Sequence, residues 1–583
     1  MTLNHIAHIA ACAALAVICL ASSAQPAAKT QAGPEYSFDI WNWTAPAQDL
    51  ATFDKWAADL KSVGLTRIEL AVPWNALEPE SGKIDLSYIR DRLAICKKHG
   101  LGLRLRINTY YAGSTPAWYK GEFWQNPDGS TWGPPQPSIT DERFWEHYAP
   151  LCTAIAREFR GEDMLYNAFI GVHAELKYSD WNCYEPSSVK LWREAIKAPR
   201  PEWLARVVGN DAKLPDDMPV PSVTSGKPDM TPANLAFIAF REENWRSAMR
   251  RFSTAIRAGD PNGRVSSPLG ESYRRYSAQF SNQDYWGMTR GSDQVVHSYD
   301  FFWHPGSTPV WHVKAVLASF QGITGLPVNF EFDGFNNIKQ FGYSDEVSAE
   351  MIRAILSCGA GIKVANMSYH TELPSTWVSI RYAGEQVRAA KSFHAPVVKP
   401  AETVLLFYSK WANYAYREPS DWLHDAQFGY WKLMSDMGIP TRVICEDNLG
   451  EDLRGYKGIV MAFSPIDLLP AKDQQLLRKT GLPIVWDVRS TPALRPAKSE
   501  IISGPAGEIK TPAALPWDSM QDVSRLGSGY SYGLKSGDKP MLAYKPKIAI
   551  LGFPLGYYYL HGADEAKCKS VMRFALAKAG IVR

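Results

Sequence analysis

The 583-residue chain has almost no net charge: 63 Lys and Arg against 60 Asp and Glu leave a formal +3. So small an excess excludes a protein that holds nucleic acid through its overall field. Cysteine is scarce, with eight in all and no C-x-x-C pair, so no structural zinc site is expected. Beyond the N-terminal segment Cys96, Cys152, Cys183, Cys358, Cys445 and Cys568 are scattered, and their spacing demands no disulfide. Buried free thiols are the expectation. Long apolar runs are missing after residue 21, so no later segment is expected to span a bilayer. Repeats, low-complexity tracts, a Walker loop and a dinucleotide fingerprint are absent as well, and no metal or cofactor is expected.

What is plentiful is aromatic surface, with 21 Trp and 27 Tyr. Most such rings pack in cores, and the rest are free to line a groove where a ring face stacks on the apolar face of a sugar. The N-terminus carries an apolar run, Ile6 to Ala21, interrupted only by His8 and followed by Ser22-Ser23-Ala24. The run is short for a membrane span and precedes small residues, so an export signal cleaved after Ala24 is expected, giving a periplasmic or secreted protein with no other membrane segment.

After a linker over 25–34, short apolar runs alternate with amphipathic helical stretches. Strands are expected at Tyr36–Trp43, Arg67–Trp74, Leu103–Asn108, Leu165–Glu175, Val265–Ser267, Gln294–Tyr299, Val328–Glu331 and Ile362–Met367. Helices are expected at Asp49–Val63, Leu86–His99, Asp141–Arg160 and Asn234–Gly259. Eight strands alternating with helices over 35–395 predict a (β/α)8 TIM barrel, with an insertion at about 181–234 decorating its mouth. In the third strand Leu103, Leu105 and Ile107 alternate with Arg104, Arg106 and Asn108, so arginines enter the bore and need carboxylate partners. A second region over 400–583 has strands at Thr403–Tyr408, Arg442–Cys445, Gly458–Phe463, Pro483–Val488 and Ile548–Gly552. It reads as an open doubly wound α/β domain with an irregular stretch at Gly504–Pro540. Cys445 there lacks the tight glycine-flanked turn of a nucleophilic cysteine, so an assembly role is expected rather than catalysis.

Function in such a barrel sits at the C-terminal ends of the strands. Two carboxylates stand there: Glu175 closes Phe169-Ile170-Gly171-Val172-His173-Ala174-Glu175, and Glu331 closes Pro327-Val328-Asn329-Phe330-Glu331. Strands four and seven face each other across a barrel mouth, and paired carboxyl groups flanking a glycosidic bond are the usual equipment for its hydrolysis. One must keep its proton to release the leaving group, while the other stays ionised. Asp333, two residues beyond Glu331, offers a competing carboxylate.

Trp74-Asn75-Ala76-Leu77-Glu78-Pro79-Glu80-Ser81-Gly82 and Thr115-Pro116-Ala117-Trp118 resemble the segments after strands two and three in glycoside hydrolase family 42, the β-galactosidases of clan A. Leu191-Trp192-Arg193, Glu202-Trp203-Leu204 and Gly552-Phe553-Pro554-Leu555-Gly556 extend the likeness over nearly the whole mature chain. The resemblance implies Glu175 as acid/base and Glu331 as nucleophile of an exo-acting, retaining β-glycoside hydrolase working by double displacement on oligo- or polysaccharide. Its carboxyl groups would lie about 5–5.5 Å apart. It further implies an amidotransferase-like trimerisation domain, and hence a homotrimer. Candidate sugar contacts are Trp74, Trp118, His173, His297, Tyr299 and Trp303, with Trp311 a further ring platform. Tyr299 would also steady Glu331.

Two departures touch the sugar. Ala174 stands where the clan places the Asn that contacts the 2-hydroxyl, and Gly133–Pro137 lacks the family's sugar-binding Arg. β-Mannoside and β-glucoside therefore join β-galactoside as substrates to consider, and a catalytically silent carbohydrate-binding or scaffold protein is the competing reading.

Overall fold

The computed structural model describes residues 35–40, 45–109, 114–131, 135–168, 183–220, 231–270, 285–298, 310–333, 345–365, 373–376, 378–389, 398–415, 422–464, 466, 469–487, 501–505, 507–510, 529–536 and 539–582. Eight parallel strands close into a barrel in sequence order: β1 (Tyr36–Ile40), β2 (Arg67–Pro73), β3 (Gly102–Asn108), β4 (Met164–Asn167), β5 (Arg264–Gly270), β6 (Gln294–Ser298), β7 (Val328–Asp333) and β8 (Gly361–Ala365). β8 pairs back onto β1 through Ser37 and Lys363. The fold class is the expected one, and all eight strands overlap the expected runs.

The helices between them start and stop where side chains satisfy free backbone groups. Asp49 caps α1 (Leu50–Ser62) by accepting from the Thr52 amide at 2.7 Å, an interaction worth about 1 kcal/mol. Gly100 follows α2 (Ser87–Lys98) with φ +64, a left-handed conformation that a side chain would strain. Asp141 caps α3 (Glu142–Glu158) through the Arg143 amide. Between strand and helix lies the core: Ile68, Leu70, Val72, Leu103, Leu105 and Ile107 face outward and are buried.

A second sheet of nine strands runs in the order β10-β9-β11-β12-β17-β16-β15-β13-β14. Its parallel part, β9 (Val404–Phe407), β10 (Thr441–Ile444), β11 (Ile459–Met461), β12 (Ile484–Asp487) and β17 (Ile548–Leu551), is the expected doubly wound half. The remainder corrects the expectation of an irregular Gly504–Pro540. β13 (Ile501–Gly504), β14 (Gly507–Lys510), β15 (Ser531–Ser536) and β16 (Lys539–Lys545) form an antiparallel extension. The strands are short, and glycine and charge dilute their alternation, so their pairing rather than their local sequence makes them strands.

The insertion supplies α4 (Pro186–Ala195) and α5 (Glu202–Val208), which lead to the long α6 (Pro232–Gly259). Trp192 packs edge-on to Phe240 of α6, and Arg206 of α5 reaches Asp447 at 2.8 Å and Asp473 at 2.7 Å. Asp447 also pairs with Lys410 at 2.7 Å. The insertion thus bridges to the loops at the C-terminal ends of β9 and β10, where doubly wound sheets usually receive ligands. All six cysteines after the N-terminal segment are unbonded, five of them buried and Cys358 half-buried.

Asp487 ends β12 enclosed in this second sheet, accepting one hydrogen bond from Tyr430 at 2.9 Å, and burial pushes its carboxyl up to about 8. Between pH 4 and 8 the folded chain therefore holds a proton there that the unfolded chain has released, so rising pH lowers stability. One such group contributes up to about 1.4 kcal/mol per pH unit. Asp487→Asn is expected to make the stability–pH slope shallower by that amount, measured by urea unfolding at pH 5, 6 and 7. An unchanged slope would mean that Asp487 is ionised in the folded protein.

Candidate active site

The bore of a (β/α)8 barrel is usually filled by branched apolar side chains. Here it is filled by charge. Strand alternation sends Asp39 of β1, Glu69 of β2, Arg104 and Arg106 of β3, Asn167 of β4, Asn329 and Glu331 of β7 and Lys363 of β8 inward, and all of them are buried.

Glu69 is the hub. Arg106 donates to its Oε1 from Nε at 2.8 Å, and Asn167 Nδ2 reaches the same oxygen at 3.1 Å. Arg104 Nη1 reaches Oε2 at 3.1 Å. On the N-terminal side of this layer Arg104 also donates to Glu35 and Gln294, and Asn329 Nδ2 reaches Glu35 at 3.0 Å and Ser37 at 2.9 Å. The arginines read from the alternation of β3 thus have the carboxylate partners they require. Burial works against ionising Glu69, but Arg106, Lys363 and Arg104 outweigh it and hold its carboxyl well below the usual range.

Glu331 joins this network through Lys363, whose Nζ lies 2.7 Å from Glu331 Oε2, 3.2 Å from Glu69 Oε2 and 3.4 Å from Asp39 Oδ2. Glu331 and Lys363 are in register on adjacent strands, so the backbone brings their side chains together on the bore face. Glu331 retains slight exposure, 7%, whereas Lys363 has none. Burial favours a neutral amine, yet the charges of Glu331 and Glu69 prevail and keep Lys363 protonated. Asp39 behaves differently. Its carboxyl is pushed up to about 7 by burial, with Lys363 and Arg106 only partly offsetting it and Glu69 and Glu331 adding to the rise. Neither of its oxygens accepts a hydrogen bond among the described residues.

Of the other candidates, Trp74 is wholly buried, which corrects its assignment as a sugar platform. Its ring lies edge-on against Trp118, Phe144 and Tyr148, with no face left for a ligand. The motif around it is a structural staple. Glu78 accepts from Trp74 Nε1 at 3.0 Å and from the Gly82 amide at 2.9 Å, and Gly82 takes φ +76 to close the turn. Trp118 is half-buried and donates to the Glu78 carbonyl at 2.8 Å, so the segments after β2 and β3 are tied to one another. His297 lies on β6 in register with Phe330, beside the strand of Glu331. Trp311 is half-buried at the start of α7 (Val310–Thr324). Glu175, His173, Tyr299 and Trp303 lie outside the described residues.

Asp39, Glu69 and Lys363 are the residues that reading the sequence for strand-end carboxylates overlooks. Their signal is the one that revealed Arg104: charge alternating with apolar residues in Tyr36-Ser37-Phe38-Asp39-Ile40, Arg67-Ile68-Glu69-Leu70 and Gly361-Ile362-Lys363-Val364. No group of three or more His, Cys, Asp or Glu among the described residues could hold a metal ion.

The sequence model of the β-galactosidase family, glycoside hydrolase family 42, matches residues 35–325, which run from the start of β1 through β6 and end ahead of β7. No protein of curated function matches the sequence. Among solved structures, a β-galactosidase from the psychrophilic Marinomonas ef1 aligns with a TM-score of 0.68 at 12% identity, over 94% of this chain and 91% of that one. A β-galactosidase from Bacillus circulans sp. alkalophilus aligns at 0.69 and 12%, over 95% and 89%. An exo-β-1,4-mannosidase from Opitutaceae bacterium strain TAV5 aligns at 0.55 and 12%, over 93% and 96%. At these identities the structural likeness is one of fold.

Proposed function

On the premise that the chain is a clan A glycoside hydrolase resembling family 42, we propose that it is a retaining, exo-acting β-glycoside hydrolase of β-galactosidase type. The observation that carries this reading is Glu331, a slightly exposed carboxylate at the C-terminal end of β7, paired at 2.7 Å with a buried lysine. A nucleophilic carboxylate must be held in place before substrate arrives, and a cation fixed in the bore meets that need. In the first step the Glu331 oxygen attacks the anomeric carbon and the aglycone oxygen leaves, taking a proton from Glu175. In the second, Glu175 removes a proton from water, which displaces Glu331 and restores it.

The likeness in fold to β-galactosidases favours galactoside as the first substrate to assay, and the likeness to a mannosidase makes β-mannoside the second. Proton NMR of a fresh digest of 4-nitrophenyl β-galactoside or β-mannoside is expected to show the β-anomer of the freed sugar first, with the α-anomer following by mutarotation. An α-anomer formed first would mean single displacement. Absence of release from every β-glycoside tried would favour the silent carbohydrate-binding reading.

A further inference from the structure

Glu331 is one member of a network of buried charges. Among the described residues the bore holds four carboxylates, Glu35, Asp39, Glu69 and Glu331, and four cations, Arg67, Arg104, Arg106 and Lys363. Lys363 is the cation of this set that pairs with Glu331. It touches the carboxylates of three other strands and is fully buried, so it has no route to a bound sugar.

We propose that Lys363 is a positioning residue for the hydrolytic reaction, holding Glu331 as an oriented carboxylate through their ion pair while Asp39 and Glu69 hold the ammonium in place. This rests on the reading of Glu331 as nucleophile and deepens it.

Among the described residues the groups facing this pair come from β1 to β4: Asp39 from β1, Glu69 from β2, Arg106 from β3 and Asn167 from β4. Glu69 is already committed to Arg104, Arg106 and Asn167. Asp39, enclosed without hydrogen bonds and raised to about 7, is the member that exchanges a proton near neutrality. When it is protonated, Lys363 is shared by one carboxylate fewer, and its charge is directed more fully at Glu331.

The test is kcat and KM, determined separately for the full chain on 4-nitrophenyl β-glycosides, in wild type, Lys363→Met and Lys363→Arg. The Met variant is expected to lower kcat about 10- to 100-fold, with KM changed less than about 3-fold. Lys363→Arg, which keeps the cation, should return kcat toward the wild-type value. Lys363→Met combined with Asp39→Asn removes a cation and a carboxylate together, so the bore stays balanced. This double variant gives the same reading if circular dichroism shows the single variant unfolded. A folded neutral variant that keeps the wild-type kcat, whether or not its KM rises, overturns the proposal while leaving Glu331 as nucleophile. Wild type inactive on every β-glycoside overturns the hydrolase reading, and Lys363's role with it.

Discussion

Glu331→Gln is expected to lower kcat on an activated aryl β-glycoside by roughly 10⁴-fold while KM moves little. The substitution keeps the shape of the side chain and removes only the charge that would form the new bond, so substrate still binds but has no attacking group. Glu331→Ala should be as inactive on its own, yet it opens a space beside Lys363 Nζ, which now lies 2.7 Å from Glu331 Oε2. A small anion such as azide is expected to enter there, attracted by an ammonium that has lost its nearest carboxylate, and to attack the anomeric carbon, so that the aglycone leaves as its free phenol and the sugar becomes an α-glycosyl azide. That product separates loss of the nucleophile from loss of structure, because a collapsed bore would not be rescued. Activity within about tenfold of wild type in the Gln variant would remove Glu331 from the mechanism.

Replacing Glu69 by Ala is expected to cost about 3–5 kcal/mol of folding stability, the range for stripping one partner from a buried ionic network. The reason lies in what remains. Arg104 and Arg106 lose the carboxylate that both of them contact, and Lys363 loses one of its three, all inside a bore from which water is excluded. Urea unfolding at pH 7 measures the loss. The pH dependence has a definite sign. Glu69 is held below its ordinary value of 4.5, so the folded chain resists a proton that the unfolded chain accepts. The stability it contributes is present above that value and is lost as pH falls below it. The Ala variant should lose this acid sensitivity along with the stability. The surface pair of Lys97 and Glu162, 2.8 Å apart but well solvated, is the control, and Glu162→Ala should leave the midpoint unchanged. A loss at Glu69 no larger than in that control would mean that the bore is hydrated and its charges are screened.

Much of this was legible before any coordinates. The eight strands of the barrel follow from apolar runs spaced by amphipathic helices, and Asp49, Gly100 and Asp141 mark helix ends with local chemistry alone. The alternation in Leu103–Asn108 required arginines in the bore, and the carboxylates they need are there. Trp74 was misread as a ligand platform because tryptophan at a strand end looks alike whether it faces a groove or a core. The antiparallel strands β13 to β16 were missed because their stability comes from pairing across the sheet edge, and their local pattern is weak.

By itself, then, the sequence determined the strands, their inward faces and the carboxylate at the end of β7, since each depends on periodicities of two and 3.6 residues within one element. Only the closed barrel decided that Lys363 meets Glu331, that Glu69 joins Arg104 and Arg106, and that Asp39 is left as the proton-sensitive member. Those contacts join residues from 32 (Glu331 and Lys363) to 324 (Asp39 and Lys363) positions apart, and they depend on the register and closure of eight strands, which no single segment encodes.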